Sequence, residues 1–186
     1  MNPLFFGPSA RPLFGLYQAP AAKTARRSGL VLCPAVGHEY LPAWPAFRQL
    51  SLQLQLAGHH VLRFDLSGQG DSSGPVEDAT LERWREDAGH ALTELLDLAG
   101  LDRPGALGLR LGASVVALAA AERGGVARLV LWEPIVDGPR FLEELLAARD
   151  AYLRRVLPRP RRAMREGPAL DVMGFVVSQP LQRSLR

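Results

Sequence analysis

From the amino terminus onward, short apolar runs alternate with stretches of helical periodicity. Leu13–Gln18 reads as a strand, and Gly29–Cys33, almost wholly apolar, as a buried one that stops at Pro34. Phe47, Leu50, Leu54 and Ala57 recur at helical spacing, which predicts a helix over 45–57 with Gly58 as its stop. Residues 60–65 form the next strand. Thr80 is placed to cap a long helix with the apolar stripe Leu81, Trp84, Ala88, Ala91 and Leu95, and Gly100 follows its end. A very short strand over 106–109, an alanine-rich helix over 112–123 and a buried strand over 127–132 complete the alternation. Strands that are apolar on both faces and separated by helices belong to a parallel sheet covered on both sides. Ligands of such sheets bind beyond the carboxyl ends of the strands. Here those ends are residues 34–39, 65–72, 109–112 and 132–137.

After Asp137 the pattern changes. Phe141, Leu145, Ala148, Tyr152 and Leu153 predict one more helix, followed by a basic stretch broken by Pro158 and Pro160, then a weakly patterned end. No further strand–helix alternation is visible, so the chain divides into a core over 1–137 and the beginning of a lid or cap over 138–186. The parallel sheet is then incomplete on its C-terminal side. Its expected edge is the strand around 127–132, with Val130 and Leu131 poorly covered. Either the helical segment from Phe141 folds over that edge, or a partner or a second copy pairs with it.

The composition is that of a globular domain, 47% apolar and 22% charged over 186 residues. Cys33 is the single cysteine, which excludes an internal disulfide and fits a reducing compartment. No apolar run is long enough to span a membrane. The opening Met1 to Pro8 lacks a basic leader and is broken by Pro and Gly, unlike a signal peptide, so the expected location is the cytoplasm. The net charge of +3 is uneven: ten arginines face five acids from Gly138 onward. Six of those arginines (Arg154, Arg155, Arg159, Arg161, Arg162 and Arg165) cluster without interleaved aromatic residues, so no nucleic-acid partner is expected.

The most informative run is Gly108-Leu109-Arg110-Leu111-Gly112, between a strand and a helix. That is the setting of the nucleophile elbow G-x-S-x-G, in which two glycines permit a sharp turn that lifts the middle residue above the sheet. The middle residue here is Arg110, whose guanidinium stays protonated and cannot attack a carbonyl. A second run, Asp65-Leu66-Ser67-Gly68-Gln69-Gly70-Asp71-Ser72, directly follows a strand. It resembles the loop after the fourth strand of α/β-hydrolases of the serine aminopeptidase and monoglyceride lipase type. Within that group, Gly108 to Ala113 and the later Leu131-Trp132-Glu133-Pro134-Ile135-Val136-Asp137-Gly138 resemble the exosortase A system-associated hydrolases, whose elbow also carries arginine. The resemblance covers residues 13–146 and implies an α/β-hydrolase-type fold.

The resemblance also implies site residues. The loop Pro34-Ala35-Val36-Gly37-His38-Glu39 would supply one oxyanion-hole N–H, from Val36 or Ala35, and Leu111 the other. His38 lies near that oxyanion position rather than at the family's base position. His59 and His60 sit at the opposite end of the sheet, His90 is mid-helix, and no histidine follows it in these 186 residues. Cys33, Ser67, Ser72 and Ser114 read as core, turn and capping residues. Arg110, at a helix N-terminus, either receives an anion such as a carboxylate or pairs with a nearby acid, Glu39, Asp65 or Glu133. The leading expectation is an impaired hydrolase-fold protein. The alternatives are an active hydrolase of an ester, thioester or amide with an unusual nucleophile, a binder of a small anionic acyl-type molecule, and a scaffold contacting a partner through its basic tail or lid. No cofactor and no metal are expected.

Overall fold

A computed structural model describes residues 1–21, 23, 25–156 and 169–186. Arg159, Arg161, Arg162 and Arg165 of the basic stretch lie outside the described residues. The strands are β1 (Asn2–Phe6), β2 (Leu13–Gln18), β3 (Gly29–Cys33), β4 (His60–Phe64), β5 (Gly105–Leu109) and β6 (Arg128–Trp132). They form one sheet in the order β1-β2-β4-β3-β5-β6. β3, β4, β5 and β6 are parallel, while β2 joins β4 and β1 joins β2 in antiparallel fashion.

Side-chain alternation along these strands sends residues to two separate cores. Leu32, Val61 and Leu107 meet Phe47, Leu50 and Leu54 of α1 (Tyr40–Leu56) on one face. Val31, Cys33, Leu62, Phe64 and Ala106 meet α2 (Leu81–Ala99) and α3 (Leu111–Arg123) on the other. The α2 caps follow the sequence: Thr80 accepts a hydrogen bond from the Arg83 N–H, and Gly100 ends the helix at φ 59°.

The structure departs from the sequence reading in three places. α1 begins five residues earlier than expected, because Pro42 lies in the first turn, where an N–H has no helical partner to lose, and only Pro45 interrupts the ladder. The opening segment forms β1, with Asn2 opposite Tyr17 and Phe6 opposite Leu13. The end of the chain is ordered into the hairpin β7 (Leu170–Val172) and β8 (Phe175–Val177), then α5 (Gln179–Ser184). Met173 and Gly174 both have positive φ, as a tight two-residue hairpin turn demands. The Leu81 N–H at the start of α2 donates to Ser184 Oγ, and Ser178 Oγ donates to the Ala79 carbonyl, so α5 is fastened to the first turn of α2.

The helix expected after Asp137 is α4 (Gly138–Val156). It does not cover the sheet edge. Phe141, Leu142 and Leu145 instead join the core cluster that contains Val172, Val177, Leu181 and Leu185, placing α4 with the hairpin and α5 above the carboxyl ends of the strands. Among the described residues no strand pairs with the outer side of β6, and Val130 is 45% and Leu131 40% exposed.

Two glycines hold α3 against the sheet. A Cβ on Gly112 would strike the carbonyl oxygen of Pro34, and one on Gly108 would strike the backbone of Ala113. Neither obstacle is a movable side chain. Gly112→Ala is therefore expected to lower stability by about 1–3 kcal/mol or more, the usual range for overpacking. Gly89→Ala, in open space on α2, should raise it by about 0.5–1 kcal/mol. Thermal and urea unfolding of both variants check this; an unchanged midpoint for Gly112→Ala would show that the close approach is not required.

Candidate active site

Asp65 follows β4, Arg110 follows β5 and Glu133 follows β6, so all three stand at the carboxyl end of the sheet. Arg110 occupies the elbow with φ 54° and ψ −124°, a conformation unfavourable for a residue with a Cβ. The turn is held by the Arg110 N–H, which donates to the Trp132 carbonyl at 2.9 Å, and by the Ala113 N–H, which donates to the Arg110 carbonyl at 3.0 Å. Leu111 is the first residue of α3, where the N–H has no carbonyl inside the helix to bond.

The Arg110 guanidinium is enclosed by carboxylates. Its Nε donates to Glu39 Oε1 at 2.8 Å, Nη1 lies 3.8 Å from Glu133, and Nη2 lies 3.6 Å from Glu144. Its other side faces the Phe141 ring at 5.8 Å. Partial burial disfavours the charge, but the Glu39 hydrogen bond and the charges of Glu39, Glu133 and Glu144 outweigh it and hold the guanidinium above its ordinary pKa. Asp65 is not among these partners. It lies two strands away and accepts hydrogen bonds from the Tyr40 hydroxyl at 2.8 Å and the Asp71 N–H at 3.2 Å.

Beside the elbow is a cavity of about 280 Å³. Val36, His38 and Leu111 line it from the sheet side, Gly68, Gln69 and Gly70 from the loop after β4, and Phe141, Leu145, Val176 and Val177 from the elements above. Most of that wall is apolar. Of the residues picked from the sequence, Val36, His38 and Leu111 thus share the cavity, Glu39 and Glu133 surround Arg110, and Asp65 has its own partners.

The hydroxyls and thiol near the strand ends are engaged structurally. Ser67 binds Asp87 through both its N–H and its Oγ, Ser72 Oγ donates to the Asp65 carbonyl, and Ser114 Oγ donates to the Ile135 carbonyl. Burial and the nearby Asp87 push the Cys33 thiol far up, so it stays protonated. His59 contacts Ser28 and His60 contacts the Tyr17 hydroxyl, both at the amino end of the sheet.

Sequence reasoning missed Glu144, Phe141, Tyr40 and Asp87 as parts of this region. Phe141 carried a signal as an apolar position of the last predicted helix. Glu144 carried none, because its role depends on α4 crossing above the elbow. Asp87 was hidden within an amphipathic helix; it is fully buried, accepts from Ser67 and is approached by Arg11 at 3.6 Å. Among the described residues no cluster of three or more His, Cys, Asp or Glu side chains could hold a metal, and no helix is long and apolar enough to cross a membrane.

No protein-family model and no curated protein matches the chain. Solved structures do. Est1E from Butyrivibrio proteoclasticus, in a structure with ferulic acid bound, superposes with a TM-score of 0.66 at 21% identity, over 98% of this chain and 70% of that one. An esterase from Pyrococcus furiosus gives 0.62 at 18% identity, over 84% and 59%. An α/β serine hydrolase without a lid from Xanthomonas campestris gives 0.57 at 18% identity, over 65% and 56%. With the strand order and the elbow, these likenesses define the class: the chain has the α/β-hydrolase fold.

Burial raises the Asp65 pKa, opposed by hydrogen bonds from Tyr40 and the Asp71 N–H. Because the folded carboxyl titrates above its unfolded value, its contribution favours folding below the unfolded carboxylate range and is lost as pH rises through the folded pKa. In Asp65→Asn, which keeps an acceptor for Tyr40, that loss should vanish, so the variant gains on the wild type as pH rises. Urea unfolding from about pH 3 to pH 7 measures it; a stability difference that does not change with pH would refute the assignment.

Proposed function

We propose that this chain is a non-hydrolytic α/β-hydrolase-fold protein that binds, without cleaving, a small and mainly apolar uncharged molecule. The single observation behind this reading is the elbow itself. The position where a hydrolase presents its nucleophile carries a guanidinium tied to Glu39 at 2.8 Å. A protonated guanidinium has no lone pair to offer a carbonyl carbon. The serine hydroxyls nearby are bonded to the backbone or to Asp87, which speaks against the alternative of a hydrolase with an unusual nucleophile.

The ligand class follows from charge and lining. An anion directed at Arg110 would have to displace or join three carboxylates already facing it, which argues against the anionic acyl-type ligand. The adjoining cavity, walled by Val36, Phe141, Leu145 and Val177, suits an apolar group of modest size, with the Leu111 N–H able to donate to a carbonyl oxygen. The particular kinship to exosortase-associated hydrolases and a cytoplasmic location are parts of this proposal. The acyl or aryl moiety expected in the cavity keeps the chemistry of hydrolase substrates while the cleaving group is absent.

Three measurements test it. Hydrolysis of a short-chain activated ester should not exceed the buffer rate, and a fluorophosphonate probe should leave the protein unlabelled. Arg110→Ser should stay inactive, since an oriented general base typically contributes about 10²–10⁴-fold and His38, the histidine lining the cavity, has no carboxylate holding its ring among the described residues. Turnover well above buffer that Arg110→Ala abolishes would overturn the reading. In thermal-shift titrations a neutral short-chain ester should stabilise the protein by mass action, and the matching carboxylate should do so much less. The reverse order would favour the anion-binding alternative.

A further inference from the structure

The sheet face that carries α1 holds a charged side chain where its pattern calls for an apolar one. Along β4, Val61 and Arg63 point to this face, and Leu16 of β2 and Leu32 of β3 stand opposite Arg63 on either side. Arg63 is 7% exposed, and its Nε is buried without a hydrogen-bond partner. Its guanidinium carbon lies 5.5 Å from the centre of the Trp44 ring of α1.

Among the described residues no carboxylate pairs with this guanidinium. Asp65, two residues along, instead accepts from the Tyr40 hydroxyl and the Asp71 N–H. Burial pushes the Arg63 pKa down, with the Asp65 charge opposing it, yet a guanidinium stays protonated at any ordinary pH. An unpaired charge in such surroundings is costly, and a bound counter-charge would relieve the cost.

Beside Arg63 is a cavity of about 460 Å³, a size that suits a small ligand. Phe14, Leu16, Tyr40, Trp44 and Phe47 line it together with Arg63. Its walls come from residues 14–71, and β2, β3 and β4 each have a strand on both sides, so the outer edges of the sheet take no part.

We propose that this cavity binds a small aromatic monocarboxylate, its carboxylate on Arg63 and its ring among Phe14, Trp44 and Phe47. The guanidinium fork matches two carboxylate oxygens, and the aromatic walls offer stacked and edge-on contacts to a ring. Asp65 and Asp71 also line the cavity, which disfavours a second negative charge and with it phosphate esters and dicarboxylates. The site differs in charge from the cavity beside the elbow, where Arg110 already faces three carboxylates. Tyr40 and Gly70 line both cavities, but Arg63 lines this one alone. The proposal is independent of what the elbow cavity binds.

The test uses benzoate as probe, at constant ionic strength. Millimolar benzoate should raise the thermal unfolding midpoint of the full chain by mass action. Benzamide, which has the ring without the charge, and acetate, which has the charge without the ring, should each need at least about tenfold higher concentration for the same shift. Arg63→Met puts an apolar side chain in place of the buried charge, so it should fold with an undiminished midpoint and lose the benzoate response. Arg63→Lys keeps the charge but not the fork and should weaken binding about tenfold. Benzoate should also change the tryptophan fluorescence, and Trp44→Phe should remove that change although Trp84, on the wall of the elbow cavity, remains. Stabilisation by a neutral ester at the elbow cavity should survive Arg63→Met, which separates the two sites. No response of the wild type to benzoate, an equal response to benzamide or acetate, or a benzoate response that persists in Arg63→Met would each overturn the proposal.

Discussion

Everything at the carboxyl end of this sheet depends on how closely α3 approaches β3 and β5. Gly112 lies against the Pro34 carbonyl and Gly108 against the backbone of Ala113, with no room for a methyl group at either position. That contact forces the chain to turn from strand to helix within one residue, and the residue that makes the turn is Arg110, at φ 54°. The same turn sets the Leu111 N–H beside the cavity and ties β6 to the elbow through the Trp132 carbonyl. The strain is held by packing around it, as is usual where a backbone is kept in an unfavourable conformation.

Given that geometry, the chemistry of the elbow is decided by one side chain and its neighbours. Glu39 comes from the turn after β3, Glu133 from the end of β6 and Glu144 from α4, so three separate segments converge on one cation. The cluster links the sheet to the elements above it. It also surrounds the elbow residue, and it leaves the apolar cavity next to it open. Surface ion pairs contribute little to stability in general; here the Arg110–Glu39 pair is partly buried, Glu133 and Glu144 are exposed, and all three are centred on a group whose charge cannot be removed.

The second half of the glycine-rich loop has a different support. Asp65 and Asp87 are carboxylates in poorly solvated surroundings, and each is satisfied by donors from that loop or its neighbours: the Asp71 N–H and Tyr40 hydroxyl for the first, Ser67 for the second. Trp84 adds a hydrogen bond from its indole N–H to the Ser67 carbonyl. These bonds hold Gly68, Gln69 and Gly70 as one wall of the cavity.

Much of this was legible in the residues themselves. Apolar periodicity located β2 to β6 and every helix through α4, and the two glycines flanking Arg110 marked the elbow, because a backbone that must approach within contact distance tolerates no Cβ. The identity of Arg110 likewise excluded a serine nucleophile there without any coordinates. What local pattern could not reveal were outcomes of distant segments meeting. β7 and β8, three residues each, are too short to show a period, and β1, which carries Pro3, shows no alternation; these strands exist only because partners lie alongside. Whether Arg110 would face an anion or an acid was open in the sequence, since Glu39, Glu133 and Glu144 are far apart along the chain. The direction of α4 was equally open: its apolar stripe specified that it must be buried, and only the folded chain decided that it would be buried above the cavity rather than against β6. Periodicity is a property of neighbours in sequence, whereas charge pairing and the choice of a burial partner depend on distances that exist only once the sheet has formed.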